Sequence, residues 1–126
     1  MYHLWYISCM EKAPAKKITV HFYKSALGNE PVRDWLKSLD KEDMKTIGED
    51  IKTVEFGWPL GMPLVRKMSD KLWEVRSDIS DNRIARVLFT VKGGIMYLLH
   101  GFIKKQQKTP AADLKKAEDR KKEVHR

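Results

Sequence analysis

Arg83-Ile84-Ala85-Arg86-Val87-Leu88-Phe89-Thr90-Val91, then Lys92-Gly93-Gly94, then Ile95-Met96-Tyr97-Leu98-Leu99-His100-Gly101-Phe102-Ile103 is the stretch on which the fold turns. A two-residue hairpin turn needs positive φ at both central positions, and paired glycines adopt it without steric cost. The flanking runs are rich in β-branched and aromatic residues, so the segment reads as two antiparallel strands joined at Gly93-Gly94. Immediately upstream, Leu72 to Ile79 is a third strand-like run, set off by Asp81-Asn82. The three form an antiparallel meander.

Before the meander, Phe56-Gly57-Trp58-Pro59-Leu60-Gly61-Met62-Pro63 holds two prolines and two glycines, so no regular element crosses it. Further back, Val32, Trp35, Leu36 and Leu39 repeat at helical spacing behind Pro31, which suits the first helical position. Asp40 can cap a second helix bearing Met44, Ile47, Ile51 and Val54. Ile18-Thr19-Val20-His21-Phe22-Tyr23 alternates, with Ile18, Val20 and Phe22 on one side, and is the first strand. Downstream, Thr109-Pro110 opens a last helix whose stripe of Leu114, Ala117 and Val124 is thin, so it is expected to be weakly held. The order β-α-α-β-β-β-α places the chain in the α+β class: a mostly antiparallel twisted sheet with a helical hairpin on one face. The 126 residues suffice for one domain, read as 17–126, behind an N-terminal extension, 1–16, with no assigned role.

The lone Cys9 excludes an internal disulfide and fits a reducing compartment. The opening Met1 to Met10 is apolar but brief and lacks a basic start, so neither a signal peptide nor a membrane span is expected, and the cytoplasm is the simplest address. His3, His21, His100 and His125 are scattered, and no paired-cysteine or nucleotide-loop pattern occurs, so neither metal nor cofactor is expected. Net charge is +8 and unevenly spread. Glu30 to Phe56 carries eight acidic and five basic residues, whereas Leu64 to Lys108 carries ten basic and four acidic. Opposite signs held apart suggest a polyanion on the basic side, with nucleic acid the usual candidate.

Helices on one side of a sheet leave its other face to water or ligand. By parity Leu72, Glu74, Arg76 and Asp78 project away from the helix-side core, and Arg83 and Arg86 point opposite ways. Arg86 is mid-strand, where a charge is costly unless paired or offered to a ligand. Antiparallel pairing would bring Arg76, Arg86 and the Lys104 region to one patch. RNA cleavage asks for a base at the 2′-hydroxyl, cations on the crowded phosphorane and an acid at the leaving 5′-oxygen. Arginine's fork suits the middle role, and His100 is a candidate base. Plainer readings stand beside these: Arg76 paired to Glu74 or Asp78, a structural His100, a solvated strand end at Lys104-Lys105, and core or loop packing for Trp35, Trp58 and Trp73. Alanine at Arg76 or Arg86 is expected to abolish activity and leave the fold intact.

His21-Phe22-Tyr23-Lys24-Ser25 with Gly28-Asn29-Glu30-Pro31-Val32-Arg33-Asp34-Trp35-Leu36, then Gly61 to Met68, Leu72-Trp73-Glu74-Val75-Arg76, and His100-Gly101-Phe102-Ile103-Lys104-Lys105-Gln106-Gln107-Lys108-Thr109-Pro110 appear in order along the chain. Together they resemble the phage-derived, HigB-like branch of the RelE/ParE toxin superfamily. The resemblance implies a RelE-like fold and a type II toxin–antitoxin system in which the toxin cuts mRNA under translation on the ribosome. It also implies a HigA-like helix-turn-helix antitoxin, through which alone the toxin would meet operator DNA. By position, Arg76, Arg86 and Lys104, with Lys105 beside it, then resemble the basic residues that such toxins set around the scissile phosphate; His100 is a candidate substitute for the family's tyrosine, and Lys71, Arg83, Lys105 and Lys108 are the candidate RNA-binding cations by their charge. No tyrosine follows the last strand where some relatives place one. A ParE-like gyrase inhibitor and a non-catalytic RNA- or ribosome-binding module remain as alternatives.

Overall fold

The computed structural model describes residues 15–104 and 109–126. Most of the 1–16 extension, with Cys9, lies outside these residues. The elements are β1 (Thr19–Phe22), α1 (Pro31–Lys37), α2 (Lys41–Gly57), β2 (Val65–Ser69), β3 (Leu72–Ile79), β4 (Arg83–Lys92), β5 (Ile95–Lys104) and α3 (Ala111–Val124). The fold is α+β, with a five-stranded sheet in the order β1-β5-β4-β3-β2. All pairings are antiparallel except that of β1 with β5. The order is thus β-α-α-β-β-β-β-α, one strand more than the sequence pattern predicts. Val65–Ser69 pairs with β3 across a register shift between Lys67 and Ser69, a strand held by its partner more than by its own pattern.

The hairpin turns behave as their residues require. Gly93 and Gly94 have φ of 57° and 74°, and Asp81 and Asn82, types that tolerate this region, have 59° and 56°. Pro31 opens α1, and Asp40 stands at the N-cap of α2 but makes no side-chain capping bond.

One sheet face packs on the helical hairpin. Val32 and Leu36 of α1 and Ile47, Ile51 and Val54 of α2 meet Val75, Val87, Phe89, Met96 and Leu98. Burying each such aliphatic group stabilises the fold by about 1.5–3 kcal/mol. Trp58, Trp73 and Phe89 close this core edge-on and stacked, with centroids 4.9–5.9 Å apart. Met44, expected in the stripe, is exposed; Asp43 is buried instead, accepting from Ser80 and from Arg83 Nη2 at 2.9 Å. Glu55 guards the outer edge of β1: its carbonyl accepts from Ile18 N–H and its Oε2 from Val20 N–H at 2.8 Å. Those donors would otherwise be open to a foreign strand.

The opposite face is not left open, contrary to expectation. α3 lies across it, burying Ala117 against Leu72, Leu88 and Leu99. Nor is α3 weakly held, because polar contacts replace the missing apolar stripe. Tyr23 bonds Glu123, Ser69 bonds Glu118, Arg120 donates to Leu99 O at 2.7 Å, and His125 Nε2 lies 2.8 Å from Thr90 Oγ1.

Candidate nucleic-acid interface

Cross-strand register decides which side chains meet. Arg76 lies directly opposite Arg86, and Glu74 opposite Leu88 on one side and Arg66 on the other. On β5, Phe102 faces Arg86, Lys104 faces Ile84 and His100 faces Leu88. Directly opposed residues share a face with Cβ atoms about 5 Å apart, and diagonal neighbours about 7–8 Å. One face therefore carries Arg66, Arg76, Arg86 and Lys104 in adjoining rows, at the end of the sheet where α3 begins.

Arg86 is fully buried, with Nη1 3.7 Å from Glu74 Oε1 and 3.5 Å from Thr109 Oγ1. Burial pushes its pKa down and Glu74 opposes this, while Arg76 and Arg66 add to the lowering. A guanidinium stays charged even so. Arg76 is 15% exposed, with Nε 3.8 Å from the same carboxylate oxygen. Glu74, itself 0% exposed, accepts from the Thr109 hydroxyl at 2.8 Å through Oε2. Thr109 sits just ahead of α3, so the helix start is tied into the arginine cluster. The burial of Arg86 overturns the expectation that alanine there leaves the fold intact, because a buried carboxylate would lose a cation.

His100 is part-buried beside the same face. Its Nε2 lies 2.6 Å from Asp113 Oδ1, in the first turn of α3, and its ring stacks on Phe102 with centroids 5.7 Å apart. Burial holds its pKa below the ordinary histidine value against the pull of Asp113, with Arg120 and Lys116 lowering it further. It is mostly neutral at pH 7. With Asp113 accepting the Nε2 proton, the neutral ring carries its lone pair on Nδ1.

The other proposed cations do not join this group. Arg83 turns to the helical-hairpin side, where Asp43 and Ser80 hold it, as strand parity requires. Lys71 sits in the β2–β3 turn at φ 58°, near Thr90 and His125 and toward the other end of the sheet. Lys105 and Lys108 lie outside the described residues. Arg66, Glu74, Thr109 and Asp113 were missed as site residues. Recognising β2 as a strand would have placed Arg66; nothing in the sequence signals where α3 lands.

Among the described residues no three His, Cys, Asp or Glu are grouped to hold a metal, and no helix is long and apolar enough to cross a membrane.

Fold and charge together define a small α+β domain with a cation-lined sheet face partly roofed by a terminal helix. The chain belongs to the family described as Phage derived protein Gp49-like (DUF891), matched over residues 34–122. That family is a RelE/HigB-type toxin family associated with toxin–antitoxin systems, generally endoribonuclease-like, and such a toxin implies an antitoxin partner. No curated protein matches the chain in a sequence comparison.

Proposed function

We propose that this chain is a HigB-like toxin with a RelE-like fold, a metal-independent endoribonuclease that cuts translated mRNA at the ribosome and is neutralised by a HigA-like helix-turn-helix antitoxin. The observation that carries the reading is the direct cross-strand pairing of Arg76 with Arg86 on the face that also bears Lys104. A base removes the 2′-hydroxyl proton; the 2′-oxygen attacks phosphorus, and the P–O5′ bond breaks as an acid protonates the leaving oxygen. The products are a 2′,3′-cyclic phosphate and a 5′-hydroxyl. The partly exposed Arg76 supplies the direct charge contact to the phosphorane, and the buried Arg86 adds its positive field from behind. His100 is the candidate base, acting through Nδ1 while Asp113 holds Nε2. Lys104 shares the face of Arg76, Arg86 and His100, which suits it to hold backbone phosphate.

Induction in cells, with mapping of new mRNA 5′ ends on and off ribosomes, tests the reading. Ends confined to ribosome-bound messages are expected. Intact mRNA with inhibited gyrase would replace the reading with a ParE-like one, and RNA binding without new ends with a non-catalytic module.

A further inference from the structure

Glu74 has the least exposed carboxylate of the cationic face, and the proposed cleavage gives it no role. It is 0% exposed on the strand that carries Arg76, one row from Arg86 and directly opposite Arg66. Its two oxygens are used differently. Oε2 accepts the Thr109 hydroxyl at 2.8 Å. Oε1 accepts no hydrogen bond among the described residues, and stands 3.7 Å from Arg86 Nη1 and 3.8 Å from Arg76 Nε.

Those distances exceed hydrogen-bond length, so the carboxylate attracts both guanidiniums without accepting a hydrogen bond from either. Two arginines directly opposite one another repel, and a negative charge between them offsets that repulsion. A buried carboxylate is itself retained at a desolvation cost, which makes its placement between two cations informative. Full burial also keeps a substrate hydroxyl from reaching it, which argues against a proton-transfer role.

Building on the reading of the face as an RNA-cleaving site, we infer that Glu74 is a positioning residue: anchored by Thr109, its carboxylate holds the partly exposed Arg76 against the buried Arg86, in the place from which Arg76 meets the phosphorane. It acts through the arginines and never touches RNA. The start of α3 thereby becomes part of the site, because Thr109 sets the carboxylate.

Glu74→Gln keeps the shape of the side chain and removes its charge. Thr109→Val keeps the charge and removes the anchor. Both are assayed on ribosome-bound mRNA, well below their melting temperatures. Binding is measured separately with the same message carrying a 2′-deoxy nucleotide at the cleavage position, which cannot be cut. Glu74→Gln is expected to lower kcat about 10- to 100-fold, as misplaced reacting groups do. KM, and the affinity and stoichiometry for the 2′-deoxy message, stay at wild-type values. Thr109→Val is expected to lower kcat about 3- to 10-fold, the worth of its 2.8 Å hydrogen bond to Glu74, with the long 3.5 Å bond from Arg86 adding little. The double variant should lose much less than the product of the two single effects, because Thr109 acts chiefly through the carboxylate, its bond from Arg86 Nη1 being long at 3.5 Å.

Reduced binding stoichiometry alongside reduced kcat would mean that Glu74 merely supports folding, and would overturn the proposal. So would wild-type kcat in Glu74→Gln, or multiplying effects in the double variant. Should Glu74→Gln fail to fold, wild-type kcat in Thr109→Val is by itself sufficient to overturn it. Cutting by the wild type with no change in these variants removes Glu74 alone; a wild type that cuts no message removes the nuclease reading and this inference with it.

Discussion

The indole of Trp35 lies directly on Gly101: a Cβ built at Gly101 would stand 2.3 Å from Trp35 Cε3 and 2.4 Å from Cζ3. Gly101 pairs with Val87 in the middle of the sheet, so its backbone has no room to retreat. The glycine between His100 and Phe102 is thus a packing requirement of α1, and it fixes how the hairpin seats on β5.

Gly101→Ala is expected to destabilise the protein by about 1–3 kcal/mol, the usual cost of overpacking. In a Trp35→Ala background the same change should cost less than about 0.5 kcal/mol, since the clashing ring is gone. Urea denaturation of the four proteins measures this. Equal costs in both backgrounds would mean that the close approach is not what matters.

The two arginines call for different substitutions. Arg76→Ala is expected to lower mRNA cleavage about 100- to 1,000-fold, as loss of one preorganised charge contact does, with the fold retained. Arg86→Ala would leave Glu74 buried beside a missing cation, with a stability cost of about 3–5 kcal/mol. Arg86→Lys keeps the charge and loses the two-pronged fork, so it separates chemistry from folding. It should remain folded by circular dichroism and cut poorly; wild-type cleavage by both Arg76→Ala and Arg86→Lys would place the site elsewhere.

Parity made the pairing of Arg76 with Arg86 legible, because the side-chain period of a strand is strict and Gly93-Gly94 and Asp81-Asn82 pin the turns. The same logic separated Arg83 from Arg86. β2 escaped because Val65-Arg66-Lys67-Met68-Ser69 offers two apolar residues directly after a proline-rich loop, and its strand character comes from pairing with β3. α3 reads as a solvated helix because its docking uses Asp113, Glu118, Arg120 and Glu123, residues that in a sequence signify surface. Arg86's burial follows from where that helix lands, which local pattern does not encode. At Leu88/Phe89 the β4–β5 register shifts, so Leu98 faces the helical-hairpin core while His100, two residues on, meets α3.

Binding to ribosome or RNA is expected to weaken steeply with salt, because Arg66, Arg76 and Lys104 would displace condensed counterions from the backbone. Each phosphate neutralised contributes about −0.7 to −0.9 to the slope of log K against log salt. Alanine at Arg66 should lower that slope by about one such increment and weaken binding across sequences alike. A salt-insensitive association would point to a protein target such as gyrase.

Acid should loosen the junction between α3 and the sheet. His100 and His125 both have pKa values held below the ordinary 6.5, chiefly by burial, and both bond across this junction. Asp113 pulls His100 upward while Arg120 and Lys116 push it down; around His125, Lys71, Lys92 and Lys121 push down and Asp70 pulls up. The unfolded chain therefore binds protons at a pH where the folded chain does not. The stability these groups contribute is complete above about pH 6.5 and declines as pH falls toward their folded values, since stability rises with pH wherever the unfolded state holds more protons. Urea midpoints measured from pH 7.5 to 5 should fall for the wild type and fall less for a His100→Gln/His125→Asn variant. Parallel curves for the two proteins would show that neither histidine couples protonation to the docking of α3, and would assign any acid loss to carboxylates such as Glu118 and Asp43, whose lowered pKa values act further down the scale.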